Sequence, residues 1–213
     1  KDMSKPFVAV ASMGYDINPC NSHLNQKSEI VKKFINKRDR LNAFIFNTVG
    51  VSDGISMGTE GMKWSLPSRE LIADSIETNI NAHFYDGAVI LPGCDKNIPA
   101  AIMAMARYNR PSFIIYGGST HPGKYKGEPL DIVSSFQSYS QFINGDISNR
   151  KRENIVKYAC PGPGSCGGMY TANTMASISE AMGLSIPNSS SSPAISEEKI
   201  YECRIAEQHI YNL

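Results

Sequence analysis

The sequence predicts an open α/β sheet that is mainly parallel, with helices on both faces and a helical C-terminal part. Short apolar runs alternate with stretches of helical periodicity, and the runs are apolar throughout rather than at every second residue. Strands of this kind are buried on both faces, as in parallel sheets covered by helices. The repeated order of strand and helix then gives a three-layer fold.

Four apolar runs supply the predicted strands. In chain order they occupy residues 6–12, 43–49, 88–93 and 112–118. Apolar residues at helical spacing follow each of the first three strands. They are Leu24, Val31, Phe34 and Ile35 after the first; Leu71, Ile72, Ile76 and Ile80 after the second, with Ser68 as the N-cap; and Ile98, Ile102 and Met105 after the third.

Beyond the fourth strand the pattern is mostly helical. The predicted helices cover residues 129–143, 147–158, 166–183 and 196–212, with a short polar connector at 188–192 before the last one. No internal repeat interrupts this order, so we expect a single domain over residues 1–213. The last helix reaches Leu213 without a capping glycine, which indicates the front part of a longer protein.

Composition excludes several classes of protein. Lys and Arg total 21 against 20 Asp and Glu, so no electrostatic footprint points to nucleic acid or an anionic membrane. The longest apolar runs, such as 113–116, are too short to span a bilayer, and no secretory signal peptide is visible. We therefore expect neither nucleic acid nor a membrane as a partner.

The five cysteines indicate a reducing compartment, because they are widely spaced, odd in number and set in an α/β pattern. Cys203 shares a helical stripe with other apolar residues and is predicted to be a core residue. Cys160 ends a helix and precedes a proline, which favours a structural role. Cys20, Cys94 and Cys166 instead lie at element boundaries, where access is good.

Chemically capable residues collect after the predicted strands. Ligands of open α/β sheets bind beyond the carboxyl ends of the strands. Cys20 follows strand one, Asp53 follows strand two, the run Cys94-Asp95-Lys96 follows strand three, and the glycine-rich 117–123 follows strand four. We expect these groups to share one crevice.

Three thiolates from separate loops suit a soft metal or an iron–sulfur cluster. They make a poor structural zinc site, which usually takes paired C-x-x-C ligands. Three thiolates on a cluster leave one iron position open, as a Lewis-acid catalyst requires. Cys166 is expected at the start of its helix, where the helix dipole lowers a thiol pKa.

Asp53 and Asp95 offer oxygen ligands for a hard cation such as Mg²⁺. Lys96 could join them only as a carbamate, formed with CO₂ on a lysine whose pKa is lowered. The alternative is an ordinary salt bridge from Lys96 to Asp95 or Glu60. His23 and His121 lie in the same loops and are candidates for proton transfer or hydrogen bonding, or are simply solvated.

The run Gly162-x-Gly164-x-x-Gly167 has the outline of a dinucleotide-binding turn. That turn must follow a strand, whereas a charged helical pattern precedes Gly162. Pro161 and Pro163 also remove backbone donors that a pyrophosphate needs. We therefore interpret the glycines as allowing a sharp turn close to a bulky inorganic centre.

The motifs together resemble the dihydroxy-acid dehydratases, whose family also includes 6-phosphogluconate and other sugar-acid dehydratases. The resemblance covers essentially the whole chain and is highly specific. It rests on NPCNSHL, GVSDGISMGTEGMKWSLPSRELIADSIE, CDKNIPAAIMAMARYNRP, YGGSTHPG, DIVSSFQSY and CPGPGSCGGMYTANTMASISEAMGL. NPCNSHL and SLPSRE are closer to the branched-chain amino-acid enzymes, and IPNSSSSPA to mitochondrial-type members.

The resemblance implies two metal sites and a hydro-lyase reaction. The sites are a [2Fe-2S] cluster, or alternatively [4Fe-4S], on Cys20, Cys94 and Cys166, and Mg²⁺ on Asp53, Asp95 and a carbamylated Lys96. Mg²⁺ would orient the substrate carboxylate and C2 hydroxyl, the open iron would bind the C3 hydroxyl, and a base would take the C2 proton. The product would be a 2-keto acid of valine and isoleucine biosynthesis.

Family members are more than twice this length, and the resemblance implies a homodimer in the mitochondrial matrix, cytoplasm or plastid. Their second domain supplies a further acidic Mg²⁺ ligand and a serine proposed as the base, neither of which is assigned here. Ala100 also stands where relatives usually carry glycine. The open alternatives are a sugar-acid dehydratase and a non-catalytic iron–sulfur or nucleotide-binding domain.

Overall fold

A computed structural model describes residues 2–213 as a parallel four-stranded sheet between two layers of helices, followed by a helical segment. The strands are β1 Phe7–Ser12, β2 Asn42–Asn47, β3 Gly87–Leu91, β4 Ser112–Ile114, β5 Gly123–Tyr125 and β6 Glu128–Leu130. The α-helices are α1 Leu24–Lys37, α2 Asp53–Ser56, α3 Ser65–Ala82, α4 Asn97–Tyr108, α5 Ile132–Ile143, α6 Asn149–Ala159, α7 Thr171–Ala181 and α8 Glu197–Asn212. Two 3₁₀ helices cover Glu60–Trp64 and Ser189–Ser191.

The main sheet has the strand order β2-β1-β3-β4, with all three pairings parallel. Phe7 of β1 pairs with Asn42 of β2, and Val8 pairs with Gly87 of β3. After β1 the chain adds β2 on one side of β1, and it then adds β3 on the other side of β1. The strand order therefore reverses between β1 and β3, and open α/β sheets bind ligands at such a topological switch point.

Alternate residues of the strands face two different apolar layers. Ala9 and Ala11 of β1 pack with α3 and α4, whereas Val8 and Val10 pack with α1 and α8. All four side chains are essentially buried. The predicted three-layer α/β fold, with helices on both faces, is confirmed.

Two local predictions were wrong, and one pair of strands was not predicted. Ser68 lies inside α3, which begins at Ser65, and its hydroxyl donates to the Ser65 carbonyl instead of capping the helix. The helix predicted over 166–183 begins only at Thr171, because residues 160–170 form an irregular loop. Residues 123–130 form the antiparallel pair of β5 and β6, which was not predicted.

The C-terminal helix α8 packs against α1 on the outer face of the sheet. Its buried stripe contains Cys203, Ala206 and Ile210, as the helical spacing predicted. The same helix also buries Lys199, Glu202 and Glu207, three charged residues that the apolar pattern did not indicate. Within residues 2–213, no helix is long and apolar enough to cross a membrane.

Candidate metal centre

Three loops at the carboxyl end of the sheet are held together by hydrogen bonds beside the three candidate cysteines. The backbone N–H of Gly164 donates to the carbonyl of Pro19 at 3.0 Å. The Ser165 hydroxyl donates to the carbonyl of Gly93 at 2.6 Å. Cys20 follows Pro19, Cys94 follows Gly93, and Cys166 follows Ser165 in the chain. These hydrogen bonds therefore bring the loops of the three cysteines together.

The Asn21 side chain links several backbone segments at the switch point. Its side chain donates to the Met13 carbonyl at 2.6 Å and to the Asn97 side chain at 2.8 Å. Its amide oxygen accepts from the backbone N–H of Cys94 at 2.9 Å. One buried amide therefore links the loop after β1 to the start of α4, and it orients the backbone at Cys94.

Two glycines allow this close approach of backbones. A Cβ atom on Gly93 would lie 2.2 Å from the Asn21 side chain and 2.7 Å from the Cys20 carbonyl oxygen. Gly164 has φ +134°, and a Cβ atom there would lie 2.5 Å from the Thr120 nitrogen. Only glycine fits at either position, so the glycines of this region serve the approach of the loops. The helix that precedes Gly162 removes the strand context of a dinucleotide-binding turn.

The thiols of Cys20 and Cys94 are buried and interact with each other. Their hydrogen bond, followed by burial, raises the pKa of Cys20 above its usual range, and the charges of Cys94 and Cys166 add to the shift. Burial and the charge of Cys94 likewise raise the pKa of the half-buried Cys166 to about 11. The expectation of a lowered pKa at Cys166 was wrong, because the residue precedes the first helical residue, Thr171, by a whole loop.

The raised pKa values have a chemical meaning for the site. Three neighbouring thiols, two of them buried, disfavour each other's ionisation. A bound cationic centre removes that penalty because it deprotonates a coordinating thiol. The donor set therefore fits an iron–sulfur group with three protein thiolates. Among the side chains of residues 2–213, no three His, Cys, Asp or Glu are arranged to hold a single metal ion.

The oxygen donors lie directly beside the thiols. The Cys94 thiol is 3.4 Å from Asp95 Oδ1. Lys96 Nζ donates to Asp53 Oδ2 at 2.9 Å and to Asp95 Oδ2 at 3.3 Å, and the Ser65 hydroxyl donates to Asp53 Oδ1 at 2.5 Å. The structure thus contains the salt bridge from Lys96 to Asp95, extended to Asp53.

The salt bridge to Glu60 is not formed, because Glu60 pairs with Lys63. Burial lowers the pKa of Lys96, but its hydrogen bond to Asp53 and the two carboxylate charges outweigh burial and raise it. Carbamate formation needs the opposite direction, a neutral amine. Burial and the neighbouring Asp53 raise the pKa of Asp95. Asp53 and Asp95 supply carboxylate oxygens, the kind of ligand that Mg²⁺ prefers. Lys96 would add an oxygen ligand only as its carbamate.

His23 is not solvated, contrary to the commoner expectation for a loop histidine. Its ring is buried, and Nε2 lies 2.8 Å from the Gly117 carbonyl oxygen. Burial lowers the pKa of His23 to about 4, with smaller contributions from Lys27 and Lys199. His121 lines a cavity of about 190 Å³. Gly167 and Gly168, which follow Cys166 in the chain, line the same cavity.

Of the two remaining cysteines, Cys203 is a core residue as predicted, and the structural role of Cys160 stays a prediction. Cys203 is fully buried in the layer between α8 and the sheet. Cys160 is half-buried near Cys166 and Asp131, and burial raises its pKa. All five cysteines are free. The sequence did not predict that Asn21, Ser165 and Tyr116 are buried near the candidate cysteines. A single polar or aromatic residue in the sequence carries no signal of such a position.

A family model described as "Dihydroxy-acid/6-phosphogluconate dehydratase N-terminal" matches residues 5–213. A dihydroxy-acid dehydratase of Francisella tularensis subsp. novicida is 55% identical over 212 residues, which is 100% of this chain and 38% of the relative. Proteins named as the chloroplastic enzyme of Arabidopsis thaliana and the mitochondrial enzyme of Schizosaccharomyces pombe are 52% and 54% identical, over 35% and 36% of their lengths. The chain thus spans between a third and two fifths of these curated relatives.

Proposed function

Because the chain belongs to the dihydroxy-acid/6-phosphogluconate dehydratase family, matching its N-terminal portion, we propose that it is the metal-binding part of a dihydroxy-acid dehydratase. The reaction is the dehydration of 2,3-dihydroxy-3-methyl carboxylates to 2-keto acids in branched-chain amino-acid biosynthesis. The observation that supports this most is the joining of the three cysteine loops at the switch point of the sheet.

Cys20, Cys94 and Cys166 would hold an iron–sulfur cluster, [2Fe-2S] in our proposal, as thiolates. Asp53 and Asp95 would hold Mg²⁺, together with Lys96 as its carbamate. When bound, the cluster supplies a Lewis acid with an open iron position, and Mg²⁺ supplies a hard cation for the oxygens of the substrate.

The chain's own residues prepare this arrangement. Ser65 donates to Asp53 Oδ1 and so leaves Oδ2 to face Lys96. The backbone N–H of Lys96 donates to Asp95 Oδ1, which fixes the second carboxylate from the start of α4. Hydrogen bonds of this type orient ligands before the metal binds. The proximity of the Cys94 thiol to Asp95 supports the binding of one substrate across both metals.

Iron and acid-labile sulfide analysis, with a visible spectrum after anaerobic reconstitution, tests the cluster. Wild type should be coloured and contain both elements, and Cys94→Ser should lose them. Cys160→Ser is the matched control, because Cys160 lies near Cys166 but outside the proposed ligand set. A colourless wild type, or equal loading of Cys94→Ser, would contradict the proposal.

A sugar-acid dehydratase is the second candidate, because the family description names both activities. The relatives compared above are named dihydroxy-acid dehydratases, which favours the branched-chain substrate. Assays of dihydroxyisovalerate against aldonic acids separate the two candidates in a protein that includes the second domain. We expect the 213-residue chain alone to bind the cluster without turnover, and 2-keto acid formation by it would contradict that expectation.

We further propose a reducing compartment, the mitochondrial matrix, and a homodimeric assembly. The free cysteines and the names of the fungal relatives support the compartment. Cell fractionation with an antibody, and light scattering of the whole protein, test the two points.

A further inference from the structure

Tyr116 places a polar atom in the interior beside the cysteine loops. The residue follows β4, its side chain is 1% exposed, and its ring packs with Ile98, Ala172 and Ala176. Within the described part of the chain, its hydroxyl makes no hydrogen bond of normal geometry. Burial raises the pKa of Tyr116, and the neighbouring Ser165 hydroxyl, which donates its own hydrogen to the Gly93 carbonyl, opposes that shift.

The backbone after Tyr116 contacts all three loops. The N–H of Gly117 donates to the carbonyl of Pro92, two residues before Cys94, at 2.9 Å. The carbonyl of Gly118 accepts from Ser165, the residue before Cys166, at 2.9 Å. His23, in the loop that carries Cys20, bonds to the carbonyl of Gly117. The residues directly after Tyr116 therefore join the loops that carry the three cysteines, and the charges of those cysteines help to raise the pKa of Tyr116.

An unpaired hydroxyl in the interior is costly, so native structures rarely keep one without a reason. The ring is also held from another side, since the Lys199 ammonium lies 5.5 Å from its centroid. The ring is thus fixed, while its hydroxyl has no hydrogen-bond partner among the described residues. Thiolate and sulfide sulfurs of an iron–sulfur group are acceptors of the required kind.

We propose that the Tyr116 hydroxyl donates a hydrogen bond to a sulfur of the iron–sulfur group held by Cys20, Cys94 and Cys166. This inference rests on the proposed function. Tyr116 is a positioning residue that stabilises the bound group and raises its reduction potential, because hydrogen bonds to sulfur set the potentials of such clusters.

Tyr116→Phe tests this, with Tyr108→Phe as the matched control. Tyr108 is also a buried tyrosine, but its hydroxyl donates to Ser112 at 2.8 Å, at the opposite end of the sheet. In the cluster-free chain, Tyr116→Phe should leave the Tm unchanged or raise it, whereas Tyr108→Phe should lower it. In the loaded chain, Tyr116→Phe should lose the chromophore in air about tenfold faster than wild type, as expected for one lost bond to a charged acceptor.

Tyr116→Phe should also lower the reduction potential of the cluster, which Tyr108→Phe should leave unchanged. Equal potentials and equal rates of loss in Tyr116→Phe and wild type would overturn this inference alone. A lowered Tm of cluster-free Tyr116→Phe would assign the hydroxyl a structural role and overturn it too. Absence of iron and sulfide from wild type would instead overturn the proposed function, and the inference with it.

Discussion

Lys199 and Lys96 are both hydrogen-bonded to carboxylates, but their surroundings differ. Lys199 on α8 is fully buried, and its ammonium donates to Glu202, to the Ser189 carbonyl and to the Ser189 hydroxyl. All three of its hydrogens therefore have acceptors, and one carboxylate matches one ammonium. Burial lowers the pKa of Lys199, although Glu202 opposes that shift.

Lys96 is 21% exposed and lies between two carboxylates, those of Asp53 and Asp95. Its pKa is raised, and the group as a whole carries one more negative than positive charge. Asp95 of this group also lies 3.4 Å from the Cys94 thiol. The charges of the Lys199 network are balanced, whereas the Lys96 group has an additional carboxylate, which is the reason that we propose it as the Mg²⁺ site.

Replacing Glu202 with Gln should have the largest effect on stability. The change keeps the shape of the side chain but leaves the Lys199 ammonium buried without its counter-charge. Removing one partner of a buried pair costs about 4 kcal/mol of unfolding free energy. Chemical denaturation of the cluster-free variant measures the loss.

The double variant Lys199→Met with Glu202→Gln is the control for this prediction. It removes both charges, so it should recover part of the stability that the single change loses. A loss below about 1 kcal/mol in the single variant would remove the contrast between the two lysines.

Periodicity could predict the layers of the fold but not this buried network. The four strands, their parallel order and most helices follow from apolar runs and helical spacing. Glu202 and Lys199 share α8 with the predicted apolar stripe, yet single letters cannot indicate that two charges neutralise each other inside. The late start of α7 was also not predictable, because residues 160–170 form a loop in which Gly164 has a φ of +134° and lies against Thr120.

The candidate site could be predicted to the level of strand ends. The rule that ligands bind beyond parallel strands brought Cys20, Asp53 and Cys94 to one edge, and the structure has their loops there. The roles of these residues as ligands stay predictions. What sequence could not indicate is the second layer, such as Asn21 and Ser165, because their contacts join residues that are more than 70 positions apart.

The pH dependence of stability should report on the buried His23, whose pKa Lys199 helps to lower. Burial, with the charges of Lys27 and Lys199, lowers the pKa of His23 from 6.5 to about 4. Between these values the unfolded chain binds a proton that the folded chain does not. His23 therefore contributes stability that is complete above pH 6.5 and is lost as the pH falls toward 4, by about 3 kcal/mol in total.

His23→Gln should flatten this part of the curve, because the amide can donate to the Gly117 carbonyl but does not titrate. Unfolding free energies of both proteins at pH 4.5, 5.5 and 7 measure the difference. If wild type and variant lose stability in parallel over this range, burial does not keep His23 neutral in the folded chain.

Asp95→Asn examines the Lys96 group through its response to Mg²⁺. Wild type in bicarbonate buffer should gain about 1.4 kcal/mol of unfolding free energy at a Mg²⁺ concentration ten times its Kd. Asp95→Asn should lose most of this gain, because an amide is a weaker ligand than a carboxylate. Asp74→Asn is the control, since Asp74 pairs with Arg107 on the surface and should leave the response intact.

Without Mg²⁺ the same Asp95→Asn variant should change the unfolding free energy by less than about 1 kcal/mol. Burial and the Asp53 carboxylate already raise the pKa of Asp95, so removing its charge relieves a repulsion while Lys96 keeps Asp53 at 2.9 Å. The amide oxygen can still accept from the backbone of Lys96. Glu202→Gln and Asp95→Asn are thus one chemical change at a buried and at a partly buried carboxylate. Equal losses from both would mean that Asp95, like Glu202, is a structural charge.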